Sequence, residues 1–252
     1  MKRSDIEEGL RMIGLRQRDA VEVHSSLSSL GWVEGGAATV VDALMAVVGV
    51  TGALVMSAYP VSPALPLTEE EKARGIVWKV RIFKENYDGP TGLGAIADDL
   101  CKRPGTVLGT GLHRVCAWGQ DAELHSKGYR HLIDVDGWVL LMGVGIDRCS
   151  SLHLAEETVG IPAQIQECWR VPDDVRRDYP AEDWGIGYGS TPEDAWIKVW
   201  EEAKRRGLVR TQFIGHAECT LFKARSVLDI YEEFLRRDPF GLFGISHSSK
   251  PR

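Results

Sequence analysis

Short apolar runs and segments of helical spacing take turns along the first two thirds of the chain. The apolar runs are typical of buried strands, and they fall at residues 20–24, 53–59, 115–118 and 139–143. Helical spacing falls at residues 4–15, 39–48, 93–102, 193–206 and 224–237, with short helices near Asp121 and from His153. This order predicts an α/β fold in which a central mixed sheet carries helices on both faces.

Terminal signals support two of these helices. Ser4 followed three residues later by Glu7 is a capping-box pattern, which predicts the start of the first helix. Thr39 with Asp42 gives a similar signal for the second helix, and Gly49 predicts its end.

Two segments interrupt the regular pattern. Residues 60–90 combine prolines with a run of charges and contain at most one short strand or helix. Residues 165–171 are predicted as a strand, and residues 173–190 as a polar loop. We therefore predict a single domain over residues 1–252, with 60–90 and 173–190 as inserted loops on the substrate side.

Composition narrows the class of protein. The 252 residues are 44% hydrophobic and 26% charged, as in ordinary soluble globular proteins, and no apolar run reaches membrane-spanning length. The net charge of -6 gives no basic footprint for nucleic acid and mildly favours a neutral or cationic partner. The five cysteines are odd in number and scattered, which argues against disulfides and structural zinc. With no secretory signal at the N-terminus, we expect a cytoplasmic protein.

Residues 138–157 (WVLLMGVGIDRCSSLHLAEE) place catalytic residue types directly after a predicted strand. Gly143 and Gly145 allow a tight turn, and the helix start beyond it carries Ser150, Ser151 and His153. Histidine titrates near neutral pH, and hydroxyls or free N–H groups at a helix start can hold developing negative charge. The stretch therefore predicts a base, His153, beside oxyanion donors.

A second strand runs into a loop rich in serine and glycine. Ser25 and Ser26 follow the strand, and their hydroxyls and nearby N–H groups could bind a phosphate-bearing ligand. The loop matches neither the dinucleotide fingerprint nor the P-loop. We interpret His24, at the strand end, as a residue that orients this loop.

Three ordered segments resemble the aminoglycoside 3-N-acetyltransferase family. The first is VHSSLSSLGWVEGG, followed by TVVDAL and GALVM, and the second is VLLMGVGIDRCSSLHLAEE. Residues 214–239 (IGHAECTLFKARSVLDIYEEFLRRDP) are similar to the C-terminal helix region of that family. The resemblance covers most of the chain.

The resemblance implies an acetyl-CoA-dependent enzyme that moves an acetyl group directly to the 3-amino group of an aminoglycoside, a small polycationic amine. His153 would be the general base, and Ser150 or Ser151, or an N–H of the helix start, could then stabilise the oxyanion. The residues that would line the acetyl-CoA site are Ser25, Ser26, Leu27, Gly35 and Gly36. The residues that would contact the acceptor are Tyr59, Asp147 and Glu156. No metal is expected, and we keep a homodimer as one option for the assembly.

Histidine chemistry agrees with this implication. An aliphatic amine is largely protonated at neutral pH and must lose a proton before it attacks a thioester. A carboxylate should orient the imidazole and stabilise its cation. Glu156 and Glu157 lie three and four residues after His153, whereas the family's later acidic motif is best matched by Glu182 and Asp183. Both pairs stay open as the carboxylate that orients His153, and Glu182 and Asp183 are carried as candidate catalytic residues.

The acceptor is the least determined part of the hypothesis. Gly111 and Leu112, followed by His113, stand where the family usually has a His-Pro pair, and residues 57–66 lack an aspartate that many members carry. A related acyltransferase acting on a different amine, or a protein that binds CoA or a drug without turnover, are the alternatives.

Two other chemistries remain as alternatives for residues 149–156. Cys149 precedes His153 by four residues and could form an acyl-enzyme, although cysteine more often packs as a small apolar residue. A metal site at His153 and Glu156 lacks clustered ligand spacing.

Overall fold

A seven-stranded mixed sheet lies at the centre of the computed structural model, which describes residues 1–84, 86–189 and 192–245. The strands in chain order are β1 (Ala20–Ser25), β2 (Ala53–Ser57), β3 (Ile76–Arg81), β4 (Thr106–Leu108), β5 (Val115–Gly119), β6 (Trp138–Met142), β7 (Trp184–Tyr188), β8 (Arg210–Ile214) and β9 (Ala217–Lys223). The main sheet has the order β4-β5-β2-β1-β6-β9-β8, and β3 pairs with β7 in a separate sheet. Strand β1 is parallel to β2 and β6, whereas the other pairs are antiparallel.

Helices cover both faces of the main sheet, as predicted. They are α1 (Arg3–Ile13), α2 (Gly36–Val48), α3 (Glu69–Ala73), α4 (Ala95–Cys101), α5 (Ala122–His125), α6 (Arg130–Asp134), α7 (His153–Val159), α8 (Ala163–Trp169), α9 (Asp173–Asp178), α10 (Glu193–Arg205), α11 (Ala224–Arg237) and α12 (Pro239–Phe243). Because side chains alternate along a strand, Val21 and Val23 pack with α1, α2 and α4. Val139 and Leu141 pack on the opposite face with α7, α10 and α11. No helix in the described ranges is long and apolar enough to cross a membrane.

The start signals predicted for the first two helices are wrong in detail. In α1 the N–H of Lys2 donates to Oδ2 of Asp5 at 2.7 Å, while Glu7 instead pairs with arginines one turn away on each side. Helix α2 begins at Gly36, so Thr39 lies one turn inside it rather than at its cap. Gly49 ends α2 as predicted.

The strand predicted at 165–171 and the polar loop predicted at 173–190 are also wrong. Residues 163–169 form α8, and residues 173–178 form α9 before β7 begins. The end of the predicted loop, at residue 190, lies outside the described residues. Strand β7 finds its partner in β3, about one hundred residues earlier, and such long-range pairing is invisible in the local pattern.

The two predicted loops therefore form one folded unit. Its small apolar core contains Ile76, Val175 and Ile186. Glu71, only 5% exposed, accepts hydrogen bonds from Lys79 of the first segment and Tyr179 of the second. These two donors lower the pKa of Glu71 to about 2, so the carboxylate stays charged at neutral pH.

The sequence pattern did not predict strands β4, β8 and β9 or helix α6. The segment that resembles the family's C-terminal helix region, residues 214–239, begins with the end of β8 and all of β9, and α11 follows over the predicted residues 224–237. Strand β9 pairs along its length with β6, and this register joins the C-terminal region to the strand that leads to His153.

Candidate functional site

Strands β1 and β6 run parallel and end at the same edge of the sheet. Ser25 is in register with Met142, and the next N–H, that of Ser26, donates to the Met142 carbonyl at 3.0 Å. The Ser29 hydroxyl then donates to the carbonyl of Gly143 at 3.0 Å. The serine-rich loop and the glycine turn, which are far apart in sequence, are therefore adjacent.

Gly143 is required by this contact. Its φ of 68° lies in the left-handed region, and a Cβ at this position would come within 2.5 Å of the Ser29 Cβ. Gly145 differs, because its φ is -86° and an added Cβ would meet only the side chain of Asp147, at 2.5 Å. The sequence identified both glycines, and the structure separates their roles.

His153 begins α7, directly after two short 3₁₀ turns at Ile146–Arg148 and Ser150–Leu152. Its Nδ1 lies 3.0 Å from Oε2 of Glu156, one helical turn on. Its ring meets the Trp196 ring edge to face, with centroids 4.8 Å apart. The side chain remains 43% exposed, and its Nε2 lies 3.8 Å from Oε1 of Glu193. The imidazole is thus held at Nδ1 by Glu156, while the side chain as a whole stays partly exposed.

Acidic neighbours control the charge of His153. Burial lowers the pKa of this imidazole, but the hydrogen bond and charge of Glu156, with further charges at Glu193 and Glu157, raise the pKa above its usual value. The Tyr231 hydroxyl donates to the other oxygen of Glu156 at 2.8 Å. Burial, followed by the charge of Glu156, raises the pKa of Tyr231 well above its usual value, so it remains a donor.

The carboxylate bound to His153 is therefore Glu156, one of the candidates that the sequence left open, and a catalytic role for Glu182 and Asp183 stays a prediction. Both of those residues are exposed in the turn before β7. The backbone carbonyl of Asp183 accepts the N–H of Ile82 at 2.8 Å, which ties the turn to the β3–β7 unit. The helical spacing of three residues, which brings side chains onto one face, was the correct signal.

The serines before His153 face inward. The Ser150 hydroxyl lies 3.1 Å from the Ser57 hydroxyl, which is itself 2.7 Å from the hydroxyl of Tyr129. Ser151 is buried, and its N–H donates to Oε1 of Glu22 at 3.1 Å. The Ser151 N–H is therefore occupied, and Ser150 Oγ is the partly buried polar group of this turn.

His24 lies at the end of β1 and is only 9% exposed. Its Nε2 is 2.6 Å from Oε1 of Glu22. His24 is thus a buried residue paired with Glu22, and the interpretation that it orients the serine-rich loop stays a prediction.

The residues predicted for acetyl-CoA lie at the end of β1 and the start of α2. Ser25, Ser26 and Leu27 lead out of β1, and the hydroxyl of Ser26 lies 3.1 Å from that of Ser28. Cofactor binding by these residues stays a prediction.

Gly35 and Gly36 form the start of α2, with φ of 78° and 61°. The N–H of Gly36 donates to the Val33 carbonyl at 3.0 Å, which closes the turn before the helix. The N–H groups of Ala37 and Ala38 follow in the first turn of this 13-residue helix, where they have no partner within the helix and can face an anion. The two glycines thus shape the turn, and the N–H groups after them are the candidate anion donors.

The predicted acceptor residues are less tightly grouped. Tyr59 follows β2 and packs edge to face on His113, with ring centroids 5.1 Å apart. Burial, and then the charge of His153, lower the pKa of His113. Asp147 pairs with its neighbour Arg148 at 3.0 Å and is 48% exposed. Glu156 is bound to His153 and Tyr231, which favours a role behind the base rather than direct contact with an acceptor.

The chemistry suggested for Cys149 and for a metal finds no support in the geometry. Cys149 is fully buried, and this burial, followed by the charge of Glu22, raises the pKa of its thiol well above the usual value. In the described part of the chain, no group of three or more histidine, cysteine, aspartate or glutamate side chains is arranged to hold a metal ion.

Sequence reasoning missed four residues of the site. Tyr231 and Trp196 stand on amphipathic helices, where aromatic residues are usually read as packing. Glu193 is the first residue of α10, where an acidic side chain is expected because it interacts favourably with the helix dipole. Glu22 alone gave a usable signal, because a glutamate inside an apolar strand must find a partner.

The fold resembles solved structures over nearly its full length. A structure described as AAC-IIIb binary with CoASH has a TM-score of 0.69 and 21% identity, covering 99% of each chain. Aminoglycoside acetyltransferase AAC(3)-IVa, solved as a histidine-to-alanine mutant with a gentamicin, has a TM-score of 0.70 and 21% identity, covering 96% of this chain and 90% of that one. At such identities these matches establish the fold.

Sequence comparison establishes the family. Aminoglycoside N(3)-acetyltransferase III from Salmonella sp is 26% identical over 263 residues, covering 93% of this chain and 91% of that protein. Aminoglycoside N(3)-acetyltransferase VII from Streptomyces paromomycinus is 26% identical over 269 residues, covering 91% and 92%. The sequence model of the aminoglycoside 3-N-acetyltransferase family matches residues 23–236. The chain is therefore an acetyltransferase and belongs to the aminoglycoside 3-N-acetyltransferase family.

Proposed function

We propose that this acetyltransferase transfers the acetyl group of acetyl-CoA to the 3-amino group of an aminoglycoside in one direct step. The observation that carries the proposal is the His153–Glu156 pair, at 3.0 Å, beside the edge where the serine-rich loop leaves the sheet. In the proposal, the loop holds the thioester and His153 is the base that serves it.

His153 acts as the general base through Nε2. With Nδ1 bound to Glu156, the Nδ1 proton is retained and Nε2 is free to accept a proton from the ammonium or amine of the acceptor. The amine then attacks the thioester carbonyl, and the imidazolium that forms is stabilised by Glu156. Collapse of the tetrahedral intermediate forms the amide and expels the CoA thiolate, which takes the proton from the His153 imidazolium and so regenerates the neutral base.

Acidic groups around the base support a polycationic acceptor. Glu193 lies 3.8 Å from Nε2 of His153, and the charges of Glu156 and Glu157 also act on this ring. The chain carries a net charge of -6. A cationic amine is attracted to such a site, whereas an anionic acceptor is repelled. Ser150 Oγ is the proposed donor to the oxyanion.

Acetyl-CoA is proposed as the acyl donor. Its phosphates suit the open N–H groups in the first turn of α2, just after Gly35 and Gly36, and its thioester arm suits the loop of Ser25, Ser26 and Leu27. The relative solved with CoASH supports this choice, and the relative solved with a gentamicin supports the acceptor class. The proposed step uses no metal.

A thiol-release assay with acetyl-CoA and a panel of amines tests the proposal. Gentamicin and kanamycin should release thiol with the wild-type protein, and His153→Ala should lower kcat by about 10²-fold or more. His131→Ala, in α6 beside Asp121, is the matched control and should leave kcat unchanged. If His153→Ala retains full activity, His153 is not the base.

A different amine is the second candidate acceptor. It is favoured by one departure from the family resemblance: Gly111 and Leu112 stand where a His-Pro pair is usual, and His113, directly after them, packs on Tyr59. Thiol release with a non-aminoglycoside amine, and with no aminoglycoside in the panel, would assign the protein to this alternative while keeping the acyl transfer.

A further inference from the structure

Glu22 places a carboxylate inside the sheet. Its side chain is fully buried, in the middle of the central strand β1. Because Val21 and Val23 face α1 and α2, Glu22 points to the other face, where α7, α10 and α11 pack. An acid in such a place is costly unless it binds specific partners, so its partners indicate its role.

Those partners belong to β1 itself and to the turn that leads to His153. Oε1 of Glu22 accepts the N–H of Ser151 at 3.1 Å and lies 2.6 Å from Nε2 of His24. The N–H of Ser150 approaches the same Nε2 at 3.4 Å. The backbone of the 3₁₀ turn before His153 therefore contacts one buried pair of side chains, Glu22 and His24.

The proton between Glu22 and His24 decides which contact holds the turn. The 2.6 Å separation requires one proton between the two atoms, and a carboxylate oxygen that also accepts the Ser151 N–H leaves that proton on Nε2 of His24. A protonated Nε2 cannot accept the Ser150 N–H, so the Ser151 N–H makes the effective hydrogen bond. His24 then acts through Glu22, by fixing the oxygen that accepts this bond. Oε2 of Glu22 has no partner among the described residues.

We propose that Glu22, together with His24, is a positioning residue that fixes the backbone from which His153 projects. The inference rests on the proposed function of His153 as base. Glu156 and Trp196 hold the imidazole ring, but they act on the side chain after its Cα is placed. Glu22 holds Ser151, two residues earlier, and so sets the direction of the first turn of α7. A displacement of about 1 Å at a base is enough to slow proton transfer strongly.

Two substitutions separate the hydrogen bond from the charge. Glu22→Gln keeps an oxygen that can accept the Ser151 N–H but removes the charge, whereas Glu22→Met removes both. Val23→Ala is the matched control, because Val23 lies on the same strand and packs on the opposite face. It should destabilise the sheet without touching the turn.

The readouts are kcat, KM and backbone amide exchange at Ser150 and Ser151, all measured well below the melting temperature. Glu22→Met should lower kcat by about 10-fold or more with KM for acetyl-CoA within about 3-fold, and should speed amide exchange by about 10-fold. Glu22→Gln should restore kcat to within about 3-fold of wild type and keep the amides protected. Val23→Ala should leave kcat within about 2-fold.

The proposal is overturned if Glu22→Met folds and keeps both kcat and amide protection. Should Glu22→Met fail to fold, His24→Asn serves instead, since it removes Nε2 and leaves the carboxylate, and unchanged kcat in that variant also overturns the proposal. If wild type releases thiol with no amine, the proposed function fails, while amide exchange in the same variants still tests the placement of the turn.

Discussion

The Tyr231 hydroxyl and Oε1 of Glu156 are 2.8 Å apart, on the side of Glu156 that His153 does not use. The fully buried tyrosine on α11 thus holds a carboxylate on α7. Both carboxylate oxygens of Glu156 are therefore bound, Oε1 by Tyr231 and Oε2 by His153. The three side chains form a chain of hydrogen bonds from Tyr231 through Glu156 to His153. The packing of α11 against the sheet therefore helps to determine the position of the imidazole.

Replacement of Glu156 by glutamine should shift the pH dependence of catalysis. In wild type the hydrogen bond and charge of Glu156 raise the pKa of His153 against the opposing effect of burial. Glutamine can still accept the Nδ1–H bond but carries no charge, so the pKa falls, His153 is neutral at lower pH and the acidic limb of kcat/KM moves down. At the plateau kcat should drop by about 10²-fold, because the imidazolium loses the negative charge of its partner.

Profiles of kcat/KM against pH would measure this shift. Glu157→Gln is the control, since Glu157 is adjacent in sequence but 66% exposed and pairs with Arg130 at 3.7 Å. Its effect on the acidic limb should be smaller. An acidic limb that stays in place in Glu156→Gln would show that His153 is not the group that titrates in the rate.

Removal of the Tyr231 hydroxyl should cost stability. Tyr231→Phe leaves Oε1 of Glu156 without its donor in a buried setting, so the free energy of unfolding should fall by about 1–3 kcal/mol. Urea unfolding at neutral pH measures this change. Tyr188→Phe, in the β3–β7 unit, is a comparison away from Glu156 and should change the unfolding free energy less. Equal losses of unfolding free energy in both variants would contradict the chain of hydrogen bonds from Tyr231 to His153.

Elements whose pattern lies within one continuous stretch of sequence could be predicted from that stretch alone. Helices α10 and α11 were predicted to within one residue, because each presents a long amphipathic pattern. The β3–β7 unit could not be predicted, since its short elements are stabilised by a partner segment about one hundred residues away. Local propensity carries no information about such pairing.

The same limit applies to the candidate site. His153 was identified from the strand, glycines and helix start around it, all within one stretch of sequence. Glu156 lies within that stretch, but the sequence left it as one of two candidate pairs, because spacing alone does not decide between it and Glu182 or Asp183. Tyr231 and Glu22 come from α11 and β1, and only the packing of these elements around α7 brings them to the base.

Alanine at Gly143 should be far more harmful than alanine at Gly145. The first has φ of 68° and an added Cβ within 2.5 Å of the Ser29 Cβ, so both backbone strain and a clash oppose it. We expect a loss of about 2 kcal/mol or more in unfolding free energy together with reduced turnover. The second needs only a movement of the Asp147 side chain. Thermal unfolding and thiol release on both variants give the comparison, and similar losses would contradict the assignment of the turn.

Alanine at Cys149 should leave the acetyl transfer intact. The thiol is fully buried and its pKa is raised well above the usual value, so the thiolate needed for an acyl-enzyme is absent at neutral pH. We expect kcat within about 2-fold of wild type and a stability loss of about 1–2 kcal/mol from the small cavity. Initial velocities with both substrates varied should give intersecting lines, as in direct transfer, rather than the parallel lines of a ping-pong reaction. A folded Cys149→Ala protein without turnover, or acetylated Cys149 in wild type incubated with acetyl-CoA alone, would instead establish a covalent route.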